Sequence, residues 1–139
     1  MGDTVHTGDL GVIDAARVAE FLRITGDRQW IHQPHESQAD SPFPEPVVPG
    51  FLLVSLLSAV IDAVFGLDRP HYVINGGLDA VRFPAPLTIG GRLSYSATRT
   101  PGRPMGGRTF VELRTEMFDA EARTVFSGRS KLLLGGPER

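Results

Sequence analysis

The chain has no cysteine and a single lysine, Lys131, among its 139 residues. The first absence excludes disulfides, thiolate nucleophiles and cysteine-ligated metals. The second leaves the positive charge to arginines scattered along the chain. With no Lys/Arg run and a formal net charge of −2, nucleic acid is not the expected partner. Long apolar runs are also missing. The longest, from Phe51 to Phe65, is interrupted by Ser55, Ser58 and Asp62, and is too short to span a bilayer. Met1-Gly2-Asp3-Thr4 is not a charged segment leading into an apolar core, so no secretory leader or membrane partner is expected and a cytoplasmic location follows by default. A chain of this length is expected to form one domain over residues 1–139, with a core large enough to stand without covalent staples.

What is present divides into a helical half and a strand half. Residues 1–10 are polar and read as a ragged start leading into a short strand or turn. Asp14 is a plausible N-cap for a helix from Ala15 to about Thr25, with Val18, Phe21, Leu22 and Thr25 on one face. Gly26 follows as a C-cap glycine would. That puts Asp27 on a rigid stem, followed by Trp30 (read as a core residue) and His32. A Pro-rich loop over residues 33–49 comes next, holding Pro34, Pro42, Pro44, Pro46 and Pro49. Its prolines lower the entropy cost of fixing it, so it reads as an ordered binding loop, with Phe43 pinning it to the body. Gly50 to Phe65 is apolar nearly all round, the pattern of a long buried helix.

From His71 onward the period changes to two. Tyr72–Phe83, Arg92–Thr100, Thr109–Phe118 and Thr124–Leu134 read as strands, and Pro101–Gly107 as a flexible hairpin tip. Gly76-Gly77 inside the first strand signals a bulge or a close approach. Helices followed by about four antiparallel strands give an α+β fold, with the sheet wrapped around the buried helix. The exposed edge of so small a sheet points to a homodimer formed by edge pairing.

Two features carry chemistry. A carboxylate and an imidazole in Asp27-x4-His32 can move protons between them. Free N–H groups at the start of the Gly50 helix can hold an oxygen that gains negative charge. Each residue also has a plainer reading, Asp27 as a turn aspartate and His32 as a structural histidine. Ser55 and Ser58 either bond back to their own helix or face the acid–histidine pair. His32, His35 and Glu36 resemble a metal set only loosely: the i, i+4 spacing is missing and Pro34 breaks regular structure, so no metal is expected.

Gly26-Asp27-x4-His32, then Gly50-Phe51-Leu52-x2-Ser55-Leu56-x-Ser58, then Val81-Arg82-Phe83-x-Ala85-Pro86-x3-Gly90 resemble the MaoC-like (R)-specific enoyl hydratase and 3-hydroxyacyl-thioester dehydratase family. Gln29-Trp30-Ile31 before the histidine and Ile74-Asn75-Gly76-Gly77 before the Arg-Phe-Pro turn are similar to its nodulation protein N-like branch. The resemblance covers roughly residues 15–100. It implies a hot-dog fold, a long central helix wrapped by an antiparallel β-sheet and usually paired as a dimer. It implies reversible syn addition of water to a trans-2-enoyl thioester, carried on coenzyme A or an acyl carrier protein, with no further cofactor.

In that scheme Asp27 and His32 are the catalytic dyad, and Gly50 donates its N–H to the thioester oxygen. Ser58 lies near the dyad aspartate, Ser55 is a helix serine of less defined role, and Asn75 belongs to the pocket. One departure is Pro49, which stands where the family usually has histidine and brings no backbone donor. Another is Gln33-Pro34 in place of an aspartate soon after the dyad histidine.

Three other readings compete with it. A hot-dog thioesterase would use a helix carboxylate, and Asp62 lies far from Gly50 for that. A non-catalytic acyl-binding or pathway-assembly protein fits Pro49, and a dehydratase of specialised metabolism fits the nodulation-type branch. Arg82, Arg92, Arg99, Arg103 and Arg108 are candidates to meet pantetheine phosphates or an acidic carrier helix, or are a solvated surface.

Overall fold

The computed structural model describes residues 2–33, 41–66 and 72–136. His35 and Glu36, part of the Pro-rich loop, and His71 lie outside them. The elements in order are β1 (Thr4–Val12), α1 (Ala15–Thr25), a single 3₁₀ turn (Trp30–His32), α2 (Gly50–Ser55), α3 (Leu57–Phe65), β2 (Tyr72–Arg82), β3 (Arg92–Arg99), β4 (Arg103–Met105), β5 (Arg108–Phe118) and β6 (Thr124–Gly135).

The caps of α1 are those its sequence spells out. Asp14 accepts a hydrogen bond from the Arg17 N–H, and Gly26 closes the helix at φ 74°, donating its N–H to the Leu22 carbonyl. The apolar helix is divided at Leu56, whose N–H is shared between the carbonyls of Leu52 and Val54. Just before the break, the Ser55 hydroxyl bonds back to the Phe51 carbonyl at 2.9 Å. Such back-bonding competes with the helix ladder and bends it.

The strands form one antiparallel sheet in the order β1-β3-β5-β6-β2, with β4 paired to β5. This is six strands where the sequence pattern gave about four. β1 is a nine-residue strand where the sequence pattern reads as a ragged start leading into a short strand or turn, and β4 occupies part of the expected flexible tip. Their signals are weak for physical reasons. The pattern of β1 is interrupted by Gly8 and by a register shift between Asp9 and Gly11, and a Cβ at Gly8 would lie 2.6 Å from the Tyr95 hydroxyl. Gly8 therefore makes room for the Tyr95 side chain on the paired strand β3. In β2 the register shifts between Asn75 and Gly77, the bulge that the glycine pair announces.

The inner face of the sheet packs on α3. Val60, Val64 and Phe65 of the helix meet Leu93, Ala97, Val111, Leu113, Met117 and Leu132 of the strands, and all are essentially without solvent exposure. Trp30 departs from the core role read for it: it is 43% exposed. The 3₁₀ turn holds Trp30 outside this core and buries His32 instead. No helix among the described residues is long and apolar enough to cross a membrane.

Candidate active site

The stem is fixed first. Asp27 follows the αL glycine that ends α1, and its N–H donates to the Thr25 hydroxyl at 3.3 Å. One carboxylate oxygen, Oδ1, accepts the N–H of Gln29 at 2.9 Å. That turn aims the other oxygen, Oδ2, at the His32 ring, where it lies 3.5 Å from Nε2. His32 is buried, and its Nδ1 sits 2.8 Å from the Val47 carbonyl. A carbonyl only accepts, so Nδ1 carries the proton and Nε2 is left as the nitrogen that can gain or give one. The described end of the Pro-rich loop supplies this clamp. The Val47 N–H bonds the Ile31 carbonyl, Val48 bonds Leu87, and Ile89 bonds Pro46. Phe43 is half-buried there, as expected of a residue that pins the loop.

Asp27, His32 and Gly50 line one cleft of about 570 Å³, together with Phe21, Phe51 and Phe83. It lies within the size range of small-molecule sites. Gly50 opens α2, and its N–H has no backbone acceptor four residues earlier within a helix, so it is one of the orphan donors of a helix start. Pro49 precedes it as N-cap, without a side-chain cap bond. The ring of Phe83 sits against Gly50: a Cβ there would be 3.0 Å from two ring carbons. The glycine thus already serves a packing need before any substrate arrives.

Ser55, Ser58 and Asn75 are not brought into this cleft. Ser55 is exposed and engaged with its own helix. Ser58 and Asn75 share a separate groove of about 320 Å³ with Val54, Ile61 and Leu78, between the helices and β2. The arginines considered for phosphate binding are dispersed. Arg92 pairs with Asp9 at 2.8 Å, and Arg103 and Arg108 lie over the rings of Phe110 and Tyr72. Sequence reasoning missed Thr25 and Val47 as positioning groups. Val47 acts through its backbone carbonyl, which leaves no side-chain signature. Among the described residues no cluster of three or more His, Asp or Glu is placed to hold a metal ion.

The antiparallel sheet wrapped on a central helix defines a hot-dog fold, and an acid–histidine pair lines the cleft at the helix start. Residues 2–120 match the MaoC like domain, and the chain belongs to that family. It is therefore a hydro-lyase of the MaoC-like dehydratase class. It is 32% identical over 108 residues to 3-hydroxyacyl-thioester dehydratase Z of Mycobacterium tuberculosis (strain ATCC 25618 / H37Rv), covering 78% of this chain and 72% of that protein. It is 35% identical over 95 residues to Nodulation protein N of Rhizobium meliloti (strain 1021), covering 67% of this chain and 59% of that protein. Among solved structures, an (R)-hydratase from A. caviae involved in PHA biosynthesis superposes with a TM-score of 0.80 at 22% identity, over 96% of both chains. At that identity the likeness speaks for the fold.

Proposed function

We propose that the protein reversibly hydrates a trans-2-enoyl thioester to the (R)-3-hydroxyacyl thioester, with Asp27 and His32 as the catalytic dyad. The observation that carries this reading is the arrangement of Asp27 Oδ2 and His32 Nε2, 3.5 Å apart in one cleft with Gly50. In this reading the two atoms hold one water between them. In hydration the dyad takes a proton from that water as its oxygen bonds Cβ, and a proton is delivered to Cα on the same face. In dehydration the dyad removes the Cα proton and protonates the departing hydroxyl. The two groups act as one coupled unit. The Gly50 N–H receives the thioester oxygen as negative charge builds there, an interaction typically worth about 3–4 kcal/mol in the transition state.

The substrate is carried on coenzyme A or an acyl carrier protein, and no other cofactor takes part. The likeness to 3-hydroxyacyl-thioester dehydratase Z supports the thioester class. The working form is a homodimer. Among the described residues the outer edge of β2 has no strand beside it in the sheet order, and Tyr72, Ile74 and Leu78 on that strand are exposed. A second copy paired there covers the groove that holds Ser58 and Asn75.

The test is the ultraviolet absorbance of crotonyl-CoA mixed with the purified protein and with its Asp27→Asn variant. Loss of the conjugated-enoyl signal with the wild type alone is the expected result. A wild type that leaves crotonyl-CoA, longer enoyl-CoAs and carrier-bound enoyl thioesters all untouched would overturn the reading in favour of a non-catalytic binder.

A further inference from the structure

Two of the cavities that His32 lines meet at Gly50 and Phe83. The outer cleft of about 570 Å³ contains Asp27 and opens past Phe51, which is 77% exposed. A second cavity of about 430 Å³, the inner one in that it reaches the buried Leu53, Leu87 and Val125, is mainly apolar, with the exposed Pro84 and Pro86 also lining it. Ile31, His32, Gly50 and Phe83 line both. Of these four, only Phe83 combines bulk with an exposed position, being 47% exposed. Its ring touches Gly50 on one side. On another it leans on Phe126, a fully buried core residue, with ring centroids 5.9 Å apart and planes tilted by 56°. The backbone around it is held too. Ala80, at φ 54°, marks the bulge between Asp79 and Arg82, and Pro84 follows the ring directly.

We infer that Phe83 is the partition between the outer cleft and the inner apolar cavity, and so sets the length of acyl chain the protein accepts. The inference rests on the proposed thioester site at Gly50. A thioester held there points its acyl tail at the ring. The anchored Phe126 contact keeps the ring from swinging inward freely. Short tails end in front of Phe83, and the inner cavity is the space that longer tails would fill once the ring is cut back.

Calorimetric titration of acetyl-, butyryl-, hexanoyl-, octanoyl- and decanoyl-CoA into the wild type and into Phe83→Ala tests this without relying on turnover. Each buried methylene contributes about fourfold in affinity when it has apolar space to enter. The wild type is expected to gain affinity with length and then level off. Phe83→Ala is expected to keep gaining about fourfold per methylene beyond that point. Phe83→Leu, which keeps the apolar character and loses less bulk, is expected to move the break by an intermediate amount and serves if the alanine variant does not fold.

The same levelling-off length in wild type and variant overturns the partition. So does a wild type that rises without a break through decanoyl-CoA, because the inner cavity is then already open. A shifted break together with no hydration of crotonyl-CoA, longer enoyl-CoAs or carrier-bound enoyl thioesters leaves the partition standing and removes the hydratase reading. Turnover with an unshifted break does the reverse. Failure of both proteins to bind any member of the series, whether offered on coenzyme A or on an acyl carrier protein, overturns both.

Discussion

Nδ1 of His32 is tied to the backbone carbonyl of Val47 at 2.8 Å, while Nε2 of the same ring faces Asp27. One contact thereby decides which nitrogen faces the carboxylate. Nitrogen-15 NMR of the histidine rings should show His32 neutral as the Nδ1–H tautomer at alkaline pH, with Nε2 bare. His32→Ala and Asp27→Asn should each lower turnover of an enoyl thioester by about a hundred- to ten-thousand-fold, the range of a lost general acid or base. Stability separates the two variants. Asp27→Asn keeps an oxygen for the Gln29 N–H and should melt close to wild type. His32→Ala leaves the Val47 carbonyl buried without its partner, at a cost of about 1–3 kcal/mol.

Gly50 and Phe83 form a second coupled pair. Gly50→Ala pushes a methyl to 3.0 Å from the Phe83 ring carbons. Overpacking of that kind costs about 1–3 kcal/mol. The penalty should be largely relieved in the Gly50→Ala/Phe83→Leu double variant, measured as non-additive denaturation midpoints. If the two penalties simply add, the glycine is not there to accommodate the ring.

Acid should weaken the fold through three carboxylates. The Gly11 N–H, then the Arg92 guanidinium, hold Asp9 below the usual carboxylate range. Arg129, helped by Lys131, does the same for Asp79 against the opposing effect of desolvation. Burial pushes Asp119 up, but the Arg123 N–H, its guanidinium and the Glu121 N–H together bring it down. The folded chain therefore releases these protons more readily than the unfolded chain. The stabilisation is complete above the unfolded carboxylate range of about pH 4 and is lost as pH falls through the lower folded values. Urea midpoints measured from pH 7 to pH 3 should fall across that acid window, and Asp119→Ala should flatten part of the slope.

The free edge of β2 gives a test of assembly. Leu78 is 38% exposed and lies beside Ser58 and Ile61 in the groove next to that edge. A lysine there sets a charge where a second copy would pack, the device by which sheet edges avoid pairing. Sedimentation velocity should show a dimer for the wild type and a shift toward monomer for Leu78→Lys. A wild type that sediments as a monomer at micromolar concentration would rule out the edge-paired dimer.

Local chemistry made part of this structure readable. Asp14 and Gly26 bracket α1 because capping and αL conformation depend on neighbours a few residues away. Leu93, Tyr95 and Ala97 alternate inward because β3 has one wet and one buried face. What stayed hidden depends on partners distant in sequence. Gly8 looks like a loop glycine until Tyr95, on another strand, is laid against it. Trp30 looks like core until a 3₁₀ turn gives the buried position to His32. That Asp27 and His32 lie together beside the glycine-led helix could be read from their spacing and types. The Val47 carbonyl could not, because every residue has one. Nor could the division between the cleft of Asp27 and the groove of Ser58, which needs the path of β2 past the helix.

The sheet order has a consequence for how the chain is made. β2 is synthesised well before β6, yet β6 is its neighbour in the sheet. β1, β3 and β5 can zip together as they leave the ribosome. β2 has to wait until Thr124–Gly135 emerges, with Tyr72, Ile74 and Leu78 open to other nascent chains meanwhile. Such an interval is when strands pair wrongly. A ribosome stalled before residue 124 would hold a chain in which β2 still lacks β6, its one partner in the sheet among the described residues.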